Sequence, residues 1–295
     1  MAFKSGFVAV VGKPNVGKST LINALIGKKV SIVSPKAQTT RNKIMGVLNT
    51  PNEQVIFLDT PGIHKAKNNL DKFMQDAISS ATEDVDLLLY VMDGSKDFAE
   101  DDLKNLKSYC GHNYPVFVVV NKVDLGSYES IYPRLAKLNE IAGVEEIFGI
   151  SALKEKNLDD LKTAIFGKLT DDIKYFPDDE FTDKSLEFRV AETIREKMLW
   201  ALDDEVPHGV GVVVDKIDTT QSNIKINATI YCERESHKNI IVGTKGAGIK
   251  DIGTKSRLAI EKMLGKPVYL DLFVKVKENW RNRVNLDEFG YGQDS

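Results

Sequence analysis

The sequence predicts an α/β chain in two parts, a doubly wound and mostly parallel sheet domain followed by a small α+β domain. Three observations carry that reading. Short β-branched apolar runs alternate with helical patterns from residue 7 to residue 169. The alternation stops at 171–183, an acidic stretch that contains a proline and lacks a long apolar stripe. Beyond it the patterns run helix, strand, strand, helix, helix, strand. The expected organisation is a first domain at 1–170, a linker at 171–183, a second domain at 184–283 and a tail at 284–295. The 295 residues suffice for two domains of roughly 150 residues each.

Phe7-Val8-Ala9-Val10-Val11 reads as a buried strand that ends at Gly12. Lys18–Ile26 carries a helical pattern stopped by Gly27, and short strands at 44–48 and 54–58 flank the turn-like Asn49-Thr50-Pro51-Asn52. Helices at 70–82, 99–109, 130–141 and 157–169 then alternate with strands at 86–92, 116–120 and 146–150. After the linker, Leu186, Val190, Ile194, Met198 and Leu202 recur at four-residue spacing, one apolar stripe on a helix spanning 185–202. Strands at 209–217 and 224–233, helices at 236–242 and 246–264 and a strand at 267–277 complete the second domain. No internal repeat is present, so the first domain occurs once.

Hydrophobic residues at 42% and charged residues at 28% are ordinary for a globular chain and argue against disorder, collagen or a coiled coil. Cys110 and Cys232 are too few for a disulfide framework and lack metal-site spacing, so they read as small buried hydrophobes. No charged-then-apolar leader opens the sequence, and runs such as Leu87–Met92 and Val210–Val214 fall far short of the roughly 20 residues that span a bilayer. The expectation is a soluble, cytoplasmic protein.

Gly12-Lys13-Pro14-Asn15-Val16-Gly17-Lys18-Ser19, with Thr20 behind it, fits the G-x-x-x-x-G-K-[ST] pattern between a strand and a helix. Glycines let backbone N–H groups curl around a β-phosphate, and the helix N-terminus adds a favourable dipole. Lys18 would reach the β- and γ-phosphates and the Ser19 hydroxyl would ligate Mg²⁺. Asp59-Thr60-Pro61-Gly62 ends a second strand, where the acid can hold Mg²⁺ through water and the Gly62 N–H can sense a γ-phosphate.

Asn121-Lys122-Val123-Asp124 closes the strand at 116–120 and sets the base. The Asp124 carboxylate can accept from both N1–H and the N2 amine of guanine, donors that adenine lacks. Asn121 would brace the loop and contact the base edge, with the Lys122 stem along the base plane. Ser151-Ala152-Leu153 follows the strand at 146–150 and can offer the Ala152 N–H to guanine O6.

In that order these motifs resemble the translation-factor class of Ras-like GTPases. The resemblance implies Mg²⁺-dependent binding of GTP and GDP, with Lys18, Thr40 and Gly62 serving hydrolysis. It also implies a mobile threonine that ligates Mg²⁺ in the GTP state. Thr40, within Gln38-Thr39-Thr40-Arg41-Asn42, is the expected ligand and Thr39 the alternative. Ile63 stands where signalling GTPases often carry a water-orienting glutamine, so slow intrinsic hydrolysis is expected. In related GTPases an Asn after Pro in the P-loop helps hold a monovalent cation, which makes Asn15 a candidate for K⁺.

Charge is distributed unevenly in the second half. Residues 171–205 hold five basic against twelve acidic residues, net −7, whereas 236–283 hold eleven against four, net +7. Such a surplus is an electrostatic footprint for phosphate backbones. Within it, Gly243-Thr244-Lys245-Gly246 lies between two helices with Lys250 shortly after, and Lys275, Lys277, Arg281 and Arg283 follow the last strand. Trp280 is either a stacking surface or core. The G-x-x-G loop and the element order look like a type II KH domain, whose loop admits RNA backbone beside an apolar groove. Across nearly its full length the chain is similar to the bacterial GTPases that carry one C-terminal KH domain. That resemblance implies binding to 16S ribosomal RNA, a role in small-subunit assembly, a monomer, and loose peripheral association with the inner membrane face.

Overall fold

The computed structural model describes residues 3–203, 205–219, 223–283 and 285–291. Two compact units emerge. One comprises the chain up to Val33, Thr40–Lys65 and Met74–Asp183; the other comprises Ser34–Thr39, Ala66–Phe73 and the chain from Lys184 onward.

The first unit holds β1 (Lys4–Val11), α1 (Lys18–Ile26), β2 (Ile44–Asn49), β3 (Glu53–Asp59), α2 (Asn69–Ala81, whose first turns fall in the second unit) and β4 (Leu87–Asp93). It continues with α3 (Glu100–Tyr109), β5 (Val116–Asn121), α4 (Tyr128–Leu138), β6 (Val144–Gly149) and α5 (Leu158–Phe166). The strands form one sheet in the order β2-β3-β1-β4-β5-β6. Only the β2–β3 pair is antiparallel. Side chains alternate across a strand. Val8 and Val10 accordingly enter one core with Leu21, Leu25, Phe57 and Leu161, while Ala9 and Val11 enter another with Tyr90, Val118 and Leu138. Burial on both faces is why the central strands read as unbroken apolar runs. The loops after the C-terminal ends of the parallel strands lie where open α/β sheets bind ligands.

The acidic segment expected to be a linker is part of this first unit. Ser5 N–H donates to Asp171 O (2.8 Å) and Val47 N–H to Phe181 O (3.0 Å). The buried Gln54 side chain accepts from Tyr175 N (2.8 Å) and Phe176 N (3.0 Å) and donates to Phe176 O (2.8 Å). Backbone pairing rather than an apolar stripe holds the segment, so hydrophobic periodicity gives no sign of it. It also covers the outer side of β2, an edge that would otherwise be free to pair.

The second unit contains α6 (Leu186–Ala201), β7 (Gly211–Asp218), β8 (Ile224–Cys232), α7 (Glu235–Val242), α8 (Ala247–Leu264) and β9 (Val268–Val276). Ser185 Oγ caps α6 by accepting from Phe188 N (3.2 Å). The strand order is β7-β8-β9, antiparallel then parallel. The expected α6 stripe is the core: Val190, Ile194, Met198 and Leu202 pack with Ile226, Ile230, Ile241, Ile252 and Ile260. Each such fully buried aliphatic side chain contributes about 1.5–3 kcal/mol.

Trp280 resolves the alternative left open by the sequence. It is fully buried, its Nε1 donates to Gly209 O (2.9 Å), and it packs with Leu70, Leu286, Phe289 and Tyr291. Trp280 is core and offers no stacking surface, and the expected tail contributes three of its neighbours. Among the described residues, no helix is long and apolar enough to cross a membrane.

Candidate nucleotide site and nucleic-acid interface

β1 delivers the chain to a loop whose backbone dictates its residues. Gly12 has φ 150° and a Cβ there would lie 2.3 Å from Val91 O; Gly17 has φ 97° and a Cβ would lie 2.3 Å from Asn121 Nδ2. Asn15 adopts φ 63°, a region that Asn tolerates better than most residues. α1 begins without a side-chain cap and without an acidic residue in its first turn, so its free N–H groups and positive dipole end face the loop. Lys18 is buried and folds back, donating to Gly12 O (3.0 Å) and Lys13 O (3.1 Å). Burial pushes its pKa down to about 8, with the neighbouring Asp59 opposing. Lys13 pairs with Asp102 on α3 (3.2 Å).

The segment after β3 lies against this loop. A Cβ on Gly62 would sit 2.7 Å from the Pro14 backbone, Ile63 N–H donates to Gly12 O (3.0 Å), and Thr60 Oγ1 donates to Val10 O (2.7 Å). The Ile63 side chain packs against the core and has no polar atom for water. His64 Nδ1 lies 2.7 Å from Gly62 O, a local loop contact.

Three oxygen-bearing side chains converge beside Lys18. Ser19 Oγ donates to Asp59 Oδ2 (2.7 Å) and lies 2.9 Å from Thr40 Oγ1, which in turn is 3.4 Å from Asp59 Oδ2. Asp59 is fully buried, and its Oδ1 has no hydrogen-bond partner among the described residues. Burial raises its pKa, against the opposing hydrogen bond from Ser19. An orphaned carboxylate oxygen beside two hydroxyls is a hard-donor set that suits Mg²⁺, which takes a few protein oxygens and keeps water for the rest. Thr39 points elsewhere: its Oγ1 lies 2.8 Å from Ser34 Oγ and donates to Lys36 O (2.7 Å).

On the base side, the buried Asn121 side chain is a hub. Its Nδ2 donates to Val16 O (2.9 Å), and its Oδ1 accepts from Lys122 N (2.8 Å) and Ala152 N (2.9 Å). The Ala152 N–H, expected to meet guanine O6, donates to Asn121 Oδ1. Lys122, at φ 65°, reaches across to Asn15 O (2.7 Å) and Asp93 Oδ2 (2.8 Å). Asp124 sits half-buried in the 3-10 turn Val123–Leu125, while Ser151 is buried and Leu153 is exposed. Asp93 is a site residue to which none of the sequence motifs points. Burial works to raise its pKa, but hydrogen bonds from Lys122 and Ser95 bring it below the usual carboxylate value. A signal for it does exist: an acid at the C-terminal end of β4, in register with Asn121 on β5.

In the second unit, Gly243 has φ 70° and a Cβ would lie 2.7 Å from Gly248 N, so a side chain is excluded there. Gly246 has φ 79° with open space where a Cβ would stand, and it opens α8 as an uncapped helix N-terminus. Thr244, Lys245 and Lys250 are exposed. A groove of about 300 Å³ runs beside the loop, lined by Ile249, Lys250, Gly253, Arg257, Leu270 and Leu272. Lys275 is exposed at the end of β9. The remaining expected basic residues are internally compensated: Lys277 and Arg283 pair with Glu288 (3.6 and 3.2 Å) and Arg281 with Glu233 (2.5 Å). Net charge alone cannot separate these from Lys245 and Lys250, nor does it show that Arg257, counted in the same surplus, lines the groove while pairing with Glu261 (2.8 Å).

Residues 7–122 match a family described as "50S ribosome-binding GTPase" and residues 205–281 match a "KH domain" family. The chain is 46% identical over 293 residues to the GTPase Era of Clostridioides difficile, covering 98% of this chain and 99% of that protein. It is 42% identical to the GTPase Era of Staphylococcus haemolyticus, over 99% of this chain and 98% of that one. A crystal structure of an Aquifex aeolicus Era variant bound to GDP·AlF4⁻ matches with a TM-score of 0.95 at 40% identity, covering 98% and 100% of the two chains. Era in complex with MgGDPNP and nucleotides 1506–1542 of 16S ribosomal RNA matches with a TM-score of 0.94 at 41% identity, covering 98% and 99%. A P-loop site with a guanine-reading corner, joined in one chain to a G-x-x-G unit, agrees with each of these: the chain belongs to the Era family of GTPases.

Proposed function

We propose that this GTPase couples Mg²⁺-GTP binding and slow hydrolysis to recognition of the 3′ region of 16S ribosomal RNA, in the service of small-subunit assembly. The observation that carries the nucleotide half is the cluster of Lys18, Ser19, Thr40 and Asp59 around one unpartnered buried oxygen. Lys18 supplies positive charge to the β- and γ-phosphates; the P-loop N–H groups and the Gly62 N–H fix their oxygens. Ser19, Thr40 and Asp59 would hold Mg²⁺, which would neutralise charge on those phosphates. Asp124 selects guanine, Asn121 holds its loop against the P-loop, and Lys122 lies across them. Ile63 cannot orient water, which keeps the intrinsic rate low.

The RNA half rests on the Gly243–Gly246 loop, on Lys245 and Lys250 beside the apolar groove, and on the relative solved with a 16S fragment. The test is binding of an RNA matching nucleotides 1506–1542, against a shuffled RNA of equal length, with a GTP analogue present. Equal affinity for the two RNAs would remove the sequence-specific claim and leave only a basic surface.

A second reading concerns K⁺. Asn15 sits in the bulge of the P-loop at φ 63°, and Ile63 leaves the water without a polar guide. We infer that a monovalent cation held near Asn15 assists hydrolysis in place of an arginine finger. Turnover in KCl above that in NaCl at fixed Mg²⁺ is the expected result, and equal turnover sinks it. Cytoplasmic residence, a monomeric state and a peripheral fraction at the inner membrane face complete the proposal, to be tested by cell fractionation and sedimentation.

A further inference from the structure

Ser34–Thr39 immediately precedes Thr40, yet it packs within the second unit. There it meets α6. Arg195 on that helix is 1% exposed. Its Nε donates to Glu192 Oε1 (2.6 Å) and its Nη2 to Glu192 Oε2 (2.5 Å). The rest of the guanidinium fork is spent on loop backbone: Nη2 also donates to Thr39 O, and Nη1 to Gln38 O (3.5 Å). Gln38 holds φ 58°, a left-handed conformation that must be enforced by its surroundings. Its side chain donates to Asp71 Oδ1 (2.9 Å), while Asp71 Oδ2 accepts from Lys67 N (2.8 Å). Both segments that leave the nucleotide site for the second unit, 34–39 and 66–73, are therefore tied to each other there. Arg195 is the charged anchor of the first. A planar guanidinium can serve a carboxylate and two carbonyls at once; a lysine ammonium cannot reproduce that fork.

We infer that Arg195 is a positioning residue for the GTPase site: by fixing the carbonyls of Gln38 and Thr39 it sets the peptide that presents the Thr40 hydroxyl to Ser19 and Asp59. The inference rests on the proposed role of Thr40 as a Mg²⁺ ligand in the GTP state. It makes α6, a helix of the RNA-binding unit, the element that senses whether Thr40 is engaged.

The test measures affinity of the full chain for a non-hydrolysable GTP analogue and for GDP at fixed Mg²⁺, with thermal unfolding as the folding control. It compares wild type, Arg195→Lys, Thr40→Ala and the double variant. Arg195→Lys should weaken the analogue about tenfold, the scale of one hydrogen bond from a charged donor. GDP affinity should stay within about twofold, and the double variant should be no weaker than Thr40→Ala alone. Hydrolysis by Arg195→Lys should also need more Mg²⁺. Parallel loss of both nucleotides, or additive losses in the double variant, would overturn the inference by showing a structural role only. If Thr40→Ala is selective and Arg195→Lys is silent, the inference alone fails. If Thr40→Ala is itself silent, the reading of the site fails with it. Should Arg195→Lys not fold, Glu192→Gln loosens the same fork and should give a smaller analogue-selective loss, an equal loss of both nucleotides again overturning the inference.

Discussion

The nucleotide site hides its polar groups, and the face proposed for RNA displays them. Lys18, Asp59, Asn121 and Ser151 are all buried, held by hydrogen bonds at 2.7–3.2 Å to loop backbone or, for Asp59, to the Ser19 hydroxyl. Lys245, Lys250 and Lys275 stand in solvent, and the basic residues that do have fixed partners are paired to acids of their own unit. A buried site gains specificity because an unpaired polar group in low dielectric is costly. An exposed face gains affinity from released counterions and is read through its overall charge and its loop shape. Substitution should therefore act in all-or-none fashion at the first and in increments at the second.

The largest effect is expected at the base. Asp124→Asn should reverse the preference between GTP and xanthosine triphosphate by on the order of 10⁴, the discrimination available to a site built around hydrogen-bonding groups; competition binding reads it, and unchanged selectivity would take Asp124 out of base recognition. Next is Gly246→Asp on the RNA face. It sets a carboxylate where backbone phosphate should pass, in open space though at a φ of 79° that strains any side chain, and should cost about a hundredfold in RNA affinity through like-charge repulsion. GTP turnover without RNA should be nearly unchanged, and loss of both activities together would blur the contrast between the two regions.

A smaller effect is set by pH. Phosphate beside Lys18 favours its charged form, so binding must reprotonate the side chain wherever the free protein has lost that proton. Nucleotide affinity should be flat below pH 8 and fall above it, because the free-protein pKa is about 8. The slope should approach about tenfold per pH unit, with proton uptake detectable by calorimetry in buffers of different ionisation enthalpy. A flat profile through pH 9 would mean that Lys18 is not held in this depressed state. The smallest effect separates free from paired lysines. Lys250→Ala should reduce the salt slope of RNA binding by about one, whereas Lys277→Ala, already paired with Glu288, should change it little.

The same contrast explains what can be read from the sequence. Lys18–Ile26 is legible to the residue because left-handed glycines bound it on both sides, Gly17 and Gly27. The helix expected at 130–141 instead runs Tyr128–Leu138, starting behind Ser127, whose pattern gives no strong signal, and continuing through Pro133. In the nucleotide site each residue type is demanded by a steric or chemical constraint, so position and identity travel together, and only acids acting through partners, Asp93 above all, escape the motifs. On the RNA face the total charge is legible and the individual contacts are not, because Glu233 and Glu288, which neutralise Arg281, Lys277 and Arg283, are separated from them in the chain or lie in the tail. Trp280 and the segment 171–183 show the same limit: what a side chain or backbone packs against is set by the fold, and composition does not reveal it. Nor does it reveal that 34–39 and 66–73 fold with the second unit.

The central claim is that nucleotide state and RNA binding are coupled through one chain. Its most direct test is the affinity of the full protein for the 16S-type RNA, measured at one salt concentration with a GTP analogue and then with GDP. A ligand shifts a two-state equilibrium only by its difference in affinity for the two states. Coupling predicts tighter RNA binding with the analogue, by about fivefold or more for a coupling of ordinary size, and a loss of that difference in Thr40→Ala. A ratio near one would contradict it and leave two independent binding sites on one polypeptide.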